Sequence, residues 1–162
     1  MPKLDATLWT EQPGTVNRLC GQTDGPYAEL VLGEQAGLTQ FGARLERLPR
    51  GSRSSHRHWH ETEDEFLYVL SGQLVLIEDQ ESALSAGEAA AWAAGTPAAH
   101  CLENRSNADA VYLIVGTRAA RGIVHYPDHD VVMHHDGAGR RFTREDGSSI
   151  SGKADPAGHV ER

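Results

Sequence analysis

The sequence predicts an all-β fold, an antiparallel sandwich or barrel, and three observations carry this prediction. Short apolar segments recur at close, regular intervals from about residue 27 to residue 115. Turn residues such as Ser71-Gly72 and Ala86-Gly87 separate them. No part of this span has a convincing helical stripe. Many short strands joined by tight turns are typical of antiparallel sheets that pack as a sandwich or close as a barrel.

The individual strands follow from local patterns. Residues 41–48 alternate along their length, as a strand with two distinct faces does. The alanine-rich run 89–94 favours a helix by propensity alone, but Gly87 and Gly95 bracket it too closely for a stable one. Pro49-Arg50-Gly51 predicts a turn that ends the second strand. The predicted strands are 27–32, 41–48, 56–60, 65–70, 73–78, 89–92, 99–102, 110–115 and 122–125.

The chain divides into three parts within a single domain, which is the expectation for 162 residues. Residues 1–26 mix Gly and Pro with polar residues and are predicted to form an irregular N-terminal arm. Residues 27–125 form the barrel. Residues 126–162 form a C-terminal extension that ends in a polar tail rich in Gly, Ser and Asp, with mobility expected from residue 143 onward.

Composition and charge exclude several function classes. The formal net charge of −8 disfavours a nucleic-acid partner, which needs concentrated Lys and Arg. No apolar run reaches the roughly 20 residues of a membrane helix, and the N-terminus lacks the apolar core of a signal peptide. We therefore expect a cytoplasmic protein without a membrane partner, in which Cys20 and Cys101 are reduced thiols.

A candidate metal site begins at His58-Trp59-His60. Alternate residues of a strand share a face, so the two histidines can bind one ion while Trp59 packs on the outer face. Glu65 follows, and His100 in a later apolar segment could complete the cluster. The register His56, His58 and Glu63 has the same spacing. It lacks the glycine that follows Glu65 seven residues later, at Gly72.

The pattern His58-x-His60-x4-Glu65-x6-Gly72, followed by His100-x3-Asn104, resembles the paired motifs of the cupin superfamily over about residues 40–117. The resemblance implies a double-stranded β-helix (jelly-roll) barrel of the small single-domain type. It also implies one divalent ion, Fe, Mn, Zn or Ni, bound by His58, His60, Glu65 and His100. Two departures lie in the second motif: Ala93 replaces the usual proline, and His100 stands two residues farther past Gly95 than expected, which a loop insertion explains.

The resemblance implies a metal-dependent enzyme that acts on a small polar or anionic molecule, of the isomerase, dioxygenase or decarboxylase type. The alternative is a non-catalytic module that binds a metal or a small ligand. Arg53 and Arg57, which are expected near the pocket mouth, favour an anionic ligand. The titratable candidates beyond the ligands are Tyr68, which alternation puts on the outer face, Tyr112, which no pattern assigns to a face, and His56.

The remaining predictions concern faces and loops. Glu65, Leu67 and Val69 should face the lumen, and the opposite side of this strand, Phe66, Tyr68 and Leu70, needs a cover, which favours a homodimer. His56 should line the pocket mouth because it shares a strand face with His58. Solvated loop positions are expected for Glu61, Glu63, Asp64, His125, His129, His134 and His135.

Overall fold

The structure is a computed structural model that describes residues 3–14, 16 and 23–150. Cys20, His159 and the part of the predicted tail from residue 151 onward lie outside the described residues. The strands are β1 (Thr10–Gln12), β2 (Tyr27–Val31), β3 (Phe41–Leu48), β4 (Trp59–His60), β5 (Glu65–Ser71), β6 (Gln73–Ile77), β7 (Glu81–Ser85), β8 (Ala89–Trp92), β9 (Cys101–Glu103), β10 (Ala110–Thr117), β11 (Gly122–Tyr126), β12 (Val131–His135) and β13 (Arg140–Thr143). A one-turn helix, α1 (Leu32–Gln35), follows β2, and a 3₁₀ turn (Pro127–His129) follows β11.

The strands form three sheets, and the strand pairs within them are antiparallel, which confirms the predicted all-β class. The largest sheet has the order β1-β2-β3-β10-β5-β8. The second has the order β13-β12-β11-β4, and the third has the order β7-β6-β9. Strands that are distant in sequence, such as β3 and β10, are neighbours in the sheet. Among the described residues, no helix is long and apolar enough to cross a membrane.

The core lies between the sheets and is built from alternate residues of their strands. In β5 the predicted alternation is confirmed, since Leu67 and Val69 are buried while Phe66, Tyr68 and Leu70 are exposed. The main cluster consists of Leu48, Leu67, Val69, Leu74, Leu76, Leu84, Trp92, Leu102, Ala110 and Tyr112. Each such buried side chain stabilises the folded protein by roughly 1.5–3 kcal/mol. Together they form the apolar walls of the lumen.

Two residues of the sequence motifs act as structural anchors. Gly72 has φ of +80°, and a Cβ there would lie 2.7 Å from the carbonyl oxygen of Asp109, so only glycine fits this turn. Asn104 is fully buried, and its Nδ2 donates to the carbonyl oxygens of Leu48 at 2.7 Å and Ala108 at 2.8 Å. Both residues therefore fix the connections that bring the motif strands together.

The structure differs from the sequence-based expectation at both ends of the barrel. The N-terminal arm is not wholly irregular, because β1 pairs with β2. Sheet pairing also continues past residue 125, since β12 pairs with β11 and β13. Asp130, the one non-glycine residue with positive φ among the described residues, turns the chain into β12. The strand predicted at 56–60 is reduced to Trp59–His60, and residues 54–57 bend.

Candidate metal centre

The two sequence motifs meet directly in the backbone. The amide of His58 donates to the carbonyl of His100 at 3.1 Å, and the amide of His100 donates back to the carbonyl of His58 at 3.0 Å. This isolated antiparallel bridge puts both imidazoles side by side, with ring centroids 5.3 Å apart. His58 and His100 are 42 residues apart in sequence, and hydrogen bonds between their backbones hold them together.

Glu65, the first residue of β5, completes the cluster. One ligand atom from each of His58, Glu65 and His100 can be chosen so that all three lie within 4.8 Å of one another. His60 is not part of this triplet, but its Nε2 lies 3.5 Å from Oε2 of Glu65, and its ring centroid is 5.0 Å from that of His58. The structure thus brings His58, Glu65 and His100 together and puts His60 beside Glu65.

The orientation of the imidazoles follows from their Nδ1 contacts. Nδ1 of His58 lies 2.9 Å from the carbonyl oxygen of His56, and Nδ1 of His100 lies 2.9 Å from that of Ala98. A carbonyl can only accept, so Nδ1 donates and Nε2 is the nitrogen left with a lone pair for a metal ion. The His100 ring is further held by Trp92, which stacks on it with 3.5 Å between the ring centroids and an angle of 7° between the ring planes.

Burial and mutual contact shift the pKa values of the cluster in opposite directions. Burial, aided by the neighbouring His60, lowers the pKa of His58 to about 3. Burial alone would also lower the pKa of His60, but contacts with Glu63 and Glu65 outweigh it and raise the pKa to about 9. Burial likewise opposes ionisation of Glu65, yet the facing histidines hold its pKa well below the ordinary value. Perturbations of both signs in one cavity are typical of a functional site.

The cluster fits a metal ion. Nε2 of His60, which faces the cluster, is buried without a hydrogen bond of acceptable geometry. Buried polar atoms are rarely left so unless an ion or another ligand completes them. Imidazole nitrogens combined with one carboxylate suit a borderline divalent ion such as Fe, Mn, Zn or Ni, and a set of this size leaves positions open for water or substrate.

The cluster lines an internal cavity of about 170 Å³. The cavity walls include Leu67 and Trp92 from the barrel and Tyr126, Met133 and Arg140 from the strands after it. A wider region of about 670 Å³ shares Arg44, His60 and Arg140 with the cavity and is also lined by Glu63 and His135. The site is therefore mostly apolar in its depth and charged towards its opening.

A polar trio lies in the same cavity, and two of its three residues are buried. The Tyr112 hydroxyl donates a short hydrogen bond to Oε2 of Glu46, and Nε of Arg44 lies 2.7 Å from Oε1 of the same carboxylate. Tyr112 is fully buried and Glu46 is 3% exposed. Burial opposes the charge of Arg44, but Glu46 and the other acidic neighbours outweigh it and raise the arginine pKa. The trio supplies titratable groups in the cavity beyond the candidate ligands.

Comparison with known proteins identifies the fold. A family model for the cupin domain matches residues 44–116. A sugar phosphate isomerase of the cupin superfamily from Silicibacter pomeroyi is 42% identical, with a TM-score of 0.83, and the alignment covers 93% of this chain and 97% of that one. The chain belongs to the cupin superfamily. No curated protein sequence is significantly similar to this cupin.

Two further structures share the fold alone. A candidate sugar phosphate isomerase from Acidithiobacillus ferrooxidans is 23% identical with a TM-score of 0.73, over 79% of this chain and 82% of that one. A predicted oxalate decarboxylase from Thermotoga maritima is 24% identical with a TM-score of 0.58, and the alignment covers 73% of this chain and 100% of that one. The predicted double-stranded β-helix is therefore confirmed, while Tyr126, Met133 and Arg140 of the cavity lie beyond the span of the family match.

Several predicted positions in this cupin differ from the structure. His56 does not line the pocket mouth, because the chain bends at 54–57 and turns its ring away from the strand face of His58. Instead it is 3% exposed, with Nδ1 3.0 Å from Nε2 of His129 and Nε2 3.5 Å from Oδ1 of Asp24. His125 is not a solvated loop residue, since it lies in β11, stacks on Trp59 and lies 2.7 Å from a Glu61 oxygen.

The charged residues near the site also differ from expectation. Arg57 does not line either cavity region and pairs with Asp128 at 2.7 Å, and Arg53 lies 3.7 Å from Glu103. The arginines that reach the lumen are Arg44 and Arg140. The sequence did carry a signal for Arg44, because Arg44 and Glu46 fall on the same strand face as the buried Leu48. Charged residues on a buried face are a marker of a site.

Proposed function

We propose that this cupin is a metal-dependent isomerase of small phosphorylated sugars, with the ion held by His58, His60, Glu65 and His100. The observation that carries the proposal is the buried pair of Tyr112 and Glu46 in the same cavity as the candidate ligands. The 42% identity with a sugar phosphate isomerase supports this reaction over oxygenase or decarboxylase chemistry. A divalent ion in this site would act as a Lewis acid on a substrate oxygen.

The Tyr112 and Glu46 pair fits the proton balance of the reaction. Interconversion of an aldose and a ketose moves one proton between neighbouring carbons and one between their oxygens, with no net gain or loss. A carboxylate hydrogen-bonded to a phenol can accept a proton and return it. Because both groups are buried, the exchanged proton would be shielded from bulk water.

Arg44 supplies the positive charge that an anionic substrate requires. Its guanidinium lines both the inner cavity and the wider opening. The raised pKa keeps it charged at every physiological pH. A guanidinium can bind two oxygens of a phosphate or carboxylate at once, so Arg44 is the proposed contact for the anionic group of the substrate.

The test is isomerisation of a panel of aldose and ketose phosphates by the metal-loaded protein, followed by NMR. Tyr112→Phe removes one hydroxyl and keeps the packing, and we expect it to lower kcat by about 10²–10⁴-fold, the usual contribution of general acid–base catalysis. Tyr68→Phe on the exposed outer face is the matched control and should retain the wild-type rate. Absence of turnover for the whole panel would reject the isomerase.

The alternative is a cupin that binds a small anionic ligand without turning it over. One observation favours it: Glu46 is engaged at both oxygens, by Tyr112 and by Arg44, as a purely structural network would be. In that case sugar phosphates would bind in calorimetry without conversion, and Arg44→Met would abolish binding. Elemental analysis separates the remaining chemistries, since Fe or Mn would permit oxygen chemistry and Zn or Ni would not favour it.

We also infer that a second copy of this cupin covers the outer face of β5. Phe66, Tyr68 and Leu70 are 41%, 37% and 48% exposed. The same face continues across the sheet, because Leu113 lies opposite Tyr68 and Val115 lies opposite Phe66. A contiguous apolar face of this kind is more common at protein interfaces than on a monomer.

A further inference from the structure

Glu63 lies between β4 and β5 and contacts His60 on the side away from Glu65. Its Oε2 is 3.4 Å from Nδ1 of His60, whereas Nε2 of His60 faces Glu65 at 3.5 Å. The Glu63 side chain is 18% exposed, so it is a largely buried carboxylate and not the solvated loop residue that its acidic surroundings suggest. Its charge is therefore screened little by water.

The position of Glu63 is fixed by the backbone around it. Its Oε1 accepts a hydrogen bond from the amide of Ala119 at 2.9 Å. The next residue ties the same loop to the end of β10, since the amide of Asp64 donates to the Thr117 hydroxyl at 2.8 Å and the amide of Thr117 donates to the Asp64 carbonyl at 3.0 Å. These backbone hydrogen bonds fix the loop and thereby hold Glu63 against His60.

The three candidate histidine ligands differ in the oxygen atom that faces Nδ1 of the ring. His58 and His100 face neutral carbonyl oxygens. His60 alone faces a carboxylate. A carboxylate behind a ligating imidazole fixes its tautomer and makes it a stronger donor than a carbonyl does.

We infer that Glu63 is a positioning residue of the metal centre, which orients His60 to bind through Nε2 and strengthens that bond. The inference rests on the ligand set of the proposed function. Glu63 itself does not reach the metal cluster, since its contact is with the far nitrogen of His60. Its role is therefore to act through His60.

The test is Co²⁺ binding to the metal-free protein with Glu63→Gln. The substitution keeps the shape and the hydrogen bond with Ala119 but removes the charge. We expect Co²⁺ to bind about 10–100-fold more weakly, the usual cost of losing such a partner. We also expect the visible absorption bands of bound Co²⁺ to shift, because the field of one imidazole changes. Thermal unfolding of the metal-free variant shows whether it is folded.

Glu61→Gln is the matched control, because Glu61 is on the same loop and pairs with His125, away from the cluster. It should bind Co²⁺ with wild-type affinity and spectrum. Wild-type affinity and spectrum in a folded Glu63→Gln variant would overturn the inference while leaving the ligand set intact. No Co²⁺ binding by the wild type would instead overturn the ligand set, and the role of Glu63 with it.

Discussion

At the level of single residues, the candidate ligands are held by contacts with the rest of the protein. His100 lies between Trp92, Glu65 and the carbonyl of Ala98, and these contacts leave its ring one orientation. His58 is paired to it through the main chain. Such contacts lower the entropic cost of binding an ion, and we expect the apolar packing of the lumen to maintain the fold without one.

This separation of folding from ion binding predicts the outcome of His60→Ala. We expect the variant to lose most of its bound metal, because a ligand is removed, while circular dichroism and the unfolding temperature of the metal-free protein change little. Metal content is measured by elemental analysis after dialysis. His134→Ala is the control, because His134 contacts Thr143 at 3.1 Å, outside the cavity, and should retain the ion. Full metal occupancy in His60→Ala would remove His60 from the ligand set.

Cys101 gives a prediction that depends on pH. Burial raises the pKa of its thiol from 9.0 to about 11. A group with a raised pKa keeps its proton to higher pH, so at pH 8 the folded protein should contain about a hundredfold less thiolate than a free cysteine. Alkylation by iodoacetamide should therefore be slower by at least that factor than in urea. The Cys20→Ser background isolates the Cys101 signal in mass spectrometry, and equal rates in both solvents would contradict the prediction.

The sequence reached some of these residues and missed others for physical reasons. Strand period puts His58 and His60 on one face, and the resemblance to the cupin motifs, through the position of Gly72, selects them with Glu65 over the register His56, His58 and Glu63. Tyr112 could not be assigned a face, since β10 has apolar residues on both faces and therefore shows no alternation between polar and apolar residues. Glu63 was missed because its burial depends on the amide of Ala119, which is 56 residues away.

At the level of elements, the connections between motif strands carry the architecture. Asn104 closes the second motif and is the clearest example. Its Nδ2 satisfies the carbonyls of Leu48 and Ala108, and its Oδ1 accepts from the amide of Ser106 at 3.0 Å and from the hydroxyl of the same residue at 2.7 Å. It joins the end of β3 to the loop that precedes β10.

Asn104→Ala should destabilise the fold without changing the metal centre. The substitution removes the amide that donates to two carbonyl oxygens. Each buried carbonyl left without a donor costs about 1–3 kcal/mol. We expect the free energy of unfolding in urea to fall by about 2–4 kcal/mol on the same basis. Asn107→Ala, on the exposed part of the same loop, is the control and should change it by less than about 0.5 kcal/mol. Similar losses for both variants would contradict the anchoring role.

The elements after residue 125 explain where prediction from the pattern failed. The segment from Tyr126 to His135 contains five histidine and aspartate positions, and polar density favoured a loop. In the structure, Val131 and Met133 pack against Val124 and Tyr126. Pairing with β11 supplies the hydrogen bonds that a short polar strand lacks on its own. Tertiary context therefore overrides the local signal.

At the level of the whole molecule, the two faces of the largest sheet have different environments. Its inner face lines the cavity. Its outer face carries an apolar stripe across β3, β10 and β5, where Leu45, Leu113 and Tyr68 lie side by side, and the β5 part of this stripe is exposed. A sheet with apolar residues on both faces needs a cover on each. The alternation of β5 was sufficient to predict this stripe from the sequence, but not its extent, because that depends on which strands are neighbours.

The proposed second copy predicts the effect of a charge on this stripe. In a symmetric dimer each substitution occurs twice at the interface, so Phe66→Glu would bury two carboxylates without partners and should yield monomers. We expect analytical ultracentrifugation to give twice the chain mass for the wild type and the single chain mass for the variant. Leu38→Glu changes another exposed apolar side chain and should leave the dimer intact. A wild type that stays monomeric at high micromolar concentration would show that water covers the stripe.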